Sequence, residues 1–299
     1  MFFLRVLPIF FFAQLGFSAP TMVSTNTNAV YHLFRPVPKS NLQPMESDLL
    51  VATQSPRTVD AGHSILSVDI DWIFRDEAGQ NFPSLKMLYR LGIVKKFEVG
   101  FYYLFSPLPG IADNHFIAFK CKWSLSPDPA DIFQLSFTPY IGLGSDLGWQ
   151  VGLVIPGEVR LGEKFKLGLS ASGNINKYIS IANAQYFPRS TIYYWDALPK
   201  FPIGLIDPQP VLEYALEFSH SVLLRYFPVH HISFFIEYAG KWLAVPNAIF
   251  SPPSRFSAQA SLGVEFTFWK NLQIALAPRV ELSEGSLQFA AKAGFAYRF

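Results

Sequence analysis

Every second residue of the closing stretch Leu287–Phe299 (LQFAAKAGFAYRF) is apolar or aromatic: Leu287, Phe289, Ala291, Ala293, Phe295, Tyr297 and Phe299. The residues between them, Gln288, Ala290, Lys292, Gly294, Ala296 and Arg298, are small or charged. Successive side chains of a β-strand point to opposite sides, so a period of two puts these sets on opposite faces. The pattern recurs from Leu66 onward. Leu66, Val68, Ile70, Trp72 and Phe74 oppose Ser67, Asp69 and Asp71; Ile117, Phe119, Cys121 and Trp123 oppose Ala118, Lys120 and Lys122. Phe256, Ala258, Ala260, Leu262, Val264, Phe266 and Phe268 oppose Ser257, Gln259, Ser261, Gly263, Glu265 and Thr267. Followed to its end, the alternation predicts about twelve strands.

Half of the 299 residues are hydrophobic, with 30 Phe, 13 Tyr and 6 Trp. Beyond the N-terminal segment no apolar run approaches the roughly 20 residues of a membrane-spanning helix. A strand crosses a bilayer with only about 9–11 residues, provided the sheet closes and leaves no unpaired edge. The predicted fold is therefore all-β: a transmembrane antiparallel up-and-down β-barrel over residues 62–299. An even strand count puts both termini on one side, which in such barrels is the periplasm. A soluble β-sandwich also alternates. Here, however, the polar faces carry glycine, alanine, serine and scattered charges, and the apolar stripes end in aromatics. Trp72, Phe74, Tyr103, Phe105 and Tyr238 are expected at one membrane boundary, and Trp123, Tyr226, Phe268, Trp269 and Tyr297 at the other.

Residues 1–18 read as a cleaved signal peptide: a lone Arg5, the apolar core VLPIFFF (Val6–Phe12) and small residues at Gly16 and Ser18. Residues 19–61 are polar, dotted with prolines and aperiodic, which predicts a flexible extension or a partial plug. Export through this signal leads to the outer membrane of a Gram-negative-type bacterium. The terminal aromatic stripe Phe295, Tyr297 and Phe299 would then be the assembly signal read by the barrel-assembly machinery.

On the inward faces stand Asp69 and Asp71; Lys86 and Arg90; Glu98; Lys120 and Lys122; Lys166; Glu213 and Glu217; Glu237; Glu265; Arg279 and Glu281; and Lys292 and Arg298. The fifth and sixth predicted strands carry none. Signs mostly alternate between neighbours, and the bases of the last strand would meet the aspartates of the first. Opposite charges stabilise adjacent strands. Turned outward, each base would cost roughly 2–4 kcal/mol at the bilayer midplane. The charges thus specify register, and they are the candidate lumen and pore residues. Asn174–Gln209 interrupts the alternation and carries Tyr186, Phe187, Tyr193, Tyr194, Trp195 and Phe201, candidates for a constriction or a surface patch; part of it could simply prolong its flanking strands. Pro139 and Pro278 fall inside strands and predict bulges or local breaks.

The chain carries no G-x-S-x-G, no H-E-x-x-H and no phosphate loop, and its one cysteine, Cys121, reads as an apolar filler. His220 falls on a lipid face and His230-His231 in a link. No enzyme, cofactor or metal site is predicted, and a net charge of +2 gives no nucleic-acid footprint.

The hairpin YRLGIVKKFEVGFYY (Tyr89–Tyr103), FIAFKCKWSL (Phe116–Leu125), FFIEYAG (Phe234–Gly240) and AAKAGFAYRF (Ala290–Phe299) resemble the family of outer-membrane barrels named for the meta-pathway of phenol degradation, often labelled simply as transporters. The resemblance implies passage of aromatic solutes, and it carries no site residues across. The chain departs from it in its many Phe and in the aromatic insertion at 174–209. The expected function is a passive channel for small, hydrophobic or aromatic solutes. Its partners would be outer-membrane lipid and a small hydrophobic solute. The alternative is a structural or surface-interaction barrel with a closed lumen.

Overall fold

A computed structural model describes residues 37, 38, 42, 45, 53–74, 82–106, 114–126, 131–144, 148–181, 184–185, 210–244, 254–283 and 286–299. The strands are β1 (Ser64–Phe74), β2 (Phe82–Val94), β3 (Phe97–Ser106), β4 (Asn114–Ser124), β5 (Phe133–Gly144), β6 (Trp149–Arg160), β7 (Phe165–Ile181), β8 (Ala184–Gln185), β9 (Pro210–Val229), β10 (Ile232–Ala244), β11 (Ser254–Phe268), β12 (Leu272–Ser283) and β13 (Ser286–Arg298). Every pairing is antiparallel. β1 pairs with β13, β6 with β7 and β7 with β9, so the twelve long strands close on themselves and the two-residue β8 is an appendage of β7. Closure removes the edges, which is what lets so apolar a sheet exist without recruiting other chains.

Strand parity follows the alternation in the sequence. Ile70, Trp72, Phe101, Ile117, Phe119, Leu153, Leu224, Ile236, Leu262 and Phe289 are exposed on the outer surface, while Ser67, Asp69 and Asp71 are fully buried within. The hydrophobic effect is thus inverted relative to a soluble protein, and a continuous apolar belt demands a lipid surround. Aromatic contacts lie at both ends of the strands: Trp242 packs on Phe256 and Tyr103 stacks on His115 at one, and others occur at the end that carries the short turns. Trp123 stacks on Phe137, Phe165 on Tyr226, and Tyr297 meets Phe299 edge-on at 4.8 Å.

One of those turns is built against local preference. Asn271 N–H donates to the Phe268 carbonyl, and both central residues, Trp269 and Lys270, have positive φ (48° and 63°). Positive φ at both centres is the backbone that matches the strand twist, but it is normally supplied by Asn or Gly. Trp269 is 84% exposed there, where an amphipathic ring suits a headgroup layer.

The structure corrects the strand ends. β7 runs on to Ile181 and β9 begins at Pro210, so the flanks of the expected interruption prolong these two strands. β6 continues through Pro156 and Gly157 to Arg160, and β10 continues through Gly240 to Ala244. No bulge forms at Pro139 or Pro278. Each opens the ladder toward one neighbour only: pairing of β4 with β5 lapses between Lys120↔Tyr140 and Trp123↔Phe137, and that of β11 with β12 between Ser261↔Arg279 and Val264↔Leu276. In both cases it resumes in the same register. A missing N–H costs one ladder bond; the intact neighbour holds the alignment.

Candidate functional site in the barrel lumen

The inward charges form a network centred on the seam where the first and last strands meet. Asp71 lies 2.9 Å from both Lys86 Nζ of β2 and Arg279 Nη1 of β12, and Asp69 lies 3.1 Å from Lys292 Nζ of β13. The directly opposite partners are Asp69↔Lys86 and Asp71↔Lys292, so the lysines bridge diagonally, one step along the ladder. Diagonal neighbours are about 7–8 Å apart at Cα, within reach of a lysine but not of two short side chains. A second knot centres on Glu98, which is almost fully buried. Arg90 donates to both of its oxygens (2.9 and 3.0 Å), and Lys122 lies 3.7 Å away. Further round, Lys166 meets Glu158 at 3.3 Å, Lys241 meets Glu217 at 3.0 Å, and Arg225 reaches across β10 to Glu265 at 3.5 Å.

Across the turn end of the lumen runs a strap, Thr53–Ala61, from the segment before β1. Val59 N–H donates to Glu98 of β3 and Thr53 N–H to Glu237 of β10, each at 2.6 Å. Thr53 Oγ1 donates to Ser221 of β9 (2.8 Å), and Arg57 reaches Gln134 of β5 and Glu158 of β6 (3.1 and 3.3 Å). Lys122 of β4 donates to the Ser55 carbonyl (2.8 Å) and Arg90 of β2 to that of Arg57 (3.2 Å). Asp60 pairs with Arg298 at 3.9 Å, and Met45 packs with Val59, Ile65 and Ala296. A Cβ on Gly92 would overlap the carbonyl oxygens of Val59 and Asp60, so the strap lies directly on the wall where that side chain is missing. Its backbone polar groups, withdrawn from water, are satisfied by wall carboxylates and cations in place of a ladder.

The rest of the lumen is divided. On the side of β13 and β1–β4, Ile73, Leu104, Phe116, Ala118 and Ala290 pack into an inward apolar cluster. Phe116 fills the space over Gly142, and Phe235 of β10 that over Gly263. The glycines seen in the sequence as small wall residues are thus seats for large inward side chains of the next strand. On the β7–β11 side lies a cavity of about 230 Å³, its lining including five serines, Glu217, Lys241 and Glu281, with Gln54 of the strap in its wall.

Of the expected lumen residues, Asp69, Asp71, Lys86, Arg90, Glu98, Lys122, Lys166, Glu217, Glu265, Arg279, Lys292 and Arg298 join these ion pairs. Glu237 binds the strap, Lys120 lies with its stem against Gly100, and Glu281 lines the cavity. Glu213 belongs to β9, but its side chain falls outside the described residues, as do Tyr186, Phe187, Tyr193, Tyr194, Trp195 and Phe201. Glu158, Arg225, Lys241 and the strap's Arg57 join the network without having stood out in the sequence. The sixth strand does carry an inward charge, Glu158, which lies beyond Pro156, where the alternation in the sequence breaks off. His220 is exposed beside Tyr238 on the outer surface, whereas Ser219 and Ser221 face the lumen.

No family model matches the chain, and no curated protein does. Among solved structures, the fold matches that of the NanC porin over 77% of this chain and 98% of the porin, at 6% identity and a TM-score of 0.51. It matches an outer-membrane channel from Pseudomonas putida F1 over 80% of this chain and 96% of that one, at 13% identity and a TM-score of 0.54. What is shared is the fold, a twelve-stranded barrel of the outer-membrane type.

Proposed function

We propose that the chain is an outer-membrane channel that passively admits small solutes, with its termini and strap on the periplasmic side. The observation that carries this reading is the polar, partly open lumen inside an apolar belt. A barrel made only as a scaffold would have no need of a hydroxyl-lined cavity. The two structural neighbours support it as relatives in fold. The phenol-pathway resemblance implies aromatic solutes; the cavity lining favours polar ones, because an apolar solute would leave buried acceptors unpaired. The lumen supplies no energy, so flux follows the solute gradient.

The strap favours a second reading, a barrel held closed at the turn end. Planar-bilayer conductance separates the two. The full-length protein should conduct, and Gly92→Val, which pushes the strap off its seat, should raise the conductance severalfold. A silent wild-type barrel and a silent Gly92→Val barrel, both correctly folded, would favour the closed scaffold.

A further inference from the structure

The cavity between β7, β9, β10 and β11 has a chemistry of its own. Ser170, Ser172, Ser219, Ser221 and Ser257 line it, together with Gln54. Serine hydroxyls donate and accept alike; Ser172 and Ser219, with their oxygens 2.6 Å apart, already show either sense of pairing. The Glu217 carboxylate in the wall is neutralised by Lys241 at 3.0 Å. Two acceptors remain open. Glu281 Oε2 and Gln54 Oε1 are buried without a hydrogen-bond partner among the described residues. Such atoms are rare in folded proteins and costly unless something donates to them.

We propose that this cavity is a binding station for small neutral polyols, an inference that rests on the channel reading above and names its solute class. A polyol brings several O–H donors to the open acceptors and meets the serines in either sense. An anion of the same size would meet two carboxylates, Glu217 and Glu281, against one lysine in the lining, Lys241, which is already paired with Glu217. An aromatic solute would leave both acceptors unpaired. At ~30 Å³ per water, the cavity holds about eight waters, most of which the hydroxyls of a sugar alcohol of about six carbons can replace. Because Gln54 belongs to the strap, the solute would touch strap and wall together.

Saturation-transfer NMR on the full-length protein in detergent micelles tests this with three probes: sorbitol, gluconate (the same skeleton ending in a carboxylate) and phenol. Sorbitol should give a saturable signal, with gluconate and phenol binding at least tenfold more weakly. Glu281→Gln should bring gluconate to within threefold of sorbitol. Ser219→Leu, which fills the cavity, should weaken sorbitol binding at least tenfold, and Ser257→Leu on another wall should do the same should the first variant fail to fold. A sorbitol signal that does not saturate, that gluconate or phenol equals, or that survives occlusion in a folded variant overturns the proposal. Bilayer current recorded on the same preparation keeps the two readings apart. Current without sorbitol binding removes the station and leaves the channel; sorbitol binding without current removes the channel and leaves the station.

Discussion

The two sides of the lumen solve different problems. Around the seam, the carboxylates of β1 and β3 each face one or more cations supplied by β2, β12 and β13, and the strap adds its own backbone to Glu98. Across the lumen, β7, β9 and β11 present serines around the cavity. The first and last strands have the least local help in finding each other, and a slip of one residue there would turn their whole apolar face inward. Complementary buried charge makes that slip expensive. The hydroxyl wall has hairpin neighbours on most sides to fix its register, and is free to keep room for solute.

That contrast can be broken most sharply at Asp71. Asp71→Asn removes the carboxylate between Lys86 and Arg279 and leaves two enclosed cations short of a partner, which should cost about 3–5 kcal/mol. Ser170→Ala on the far wall should cost less than about 0.5 kcal/mol. Urea unfolding in detergent, followed by loss of the folded gel band, measures both; equal midpoints would erase the distinction between the two sides. On the outer face, Phe119→Arg should cost about 2–4 kcal/mol in lipid, read from the same unfolding curve in liposomes. The smallest effect is expected at the Trp269-Lys270 turn. Lys270→Gly relieves a positive φ that costs a side-chain-bearing residue roughly 1–2 kcal/mol, less the greater entropy glycine loses on folding, for a net gain of about 0.5 kcal/mol.

The faces of the strands were legible because lipid and water impose one rule on every strand, and that rule has a period of two. Phe119 and Lys120 can be assigned to opposite surfaces with no knowledge of their neighbours. The strap was not legible in the same way. Thr53–Ala61 has no periodicity of its own; its partners Glu98, Glu237, Gln134 and Ser221 are scattered over the chain and meet only when the barrel closes. Leu88, Leu104, Phe116 and Phe235 were obscured by the same rule that revealed the rest. Each sits on a face read as polar and is buried there: Gly142 and Gly263 leave room for Phe116 and Phe235, and Leu104 joins the cluster of Phe116 and Ala118. Pro156 and Gly240 look like strand ends in sequence. In the barrel they are interior positions: Pro156 keeps its pairing with Ser170 of β7 while the ladder to β5 lapses, and Gly240 is paired on both sides, with His220 and Ala258.

Which surface meets lipid decides everything else about this barrel. In a Cys121→Ser background, spin labels placed singly at Phe119 and Lys120 in the liposome-reconstituted barrel test it directly. The label at 119 should relax with oxygen, which concentrates in the bilayer, and ignore a water-soluble nickel complex. The label at 120 should be shielded from oxygen. The reverse pattern, or two labels that respond alike, would mean that the apolar belt is not the lipid-facing surface.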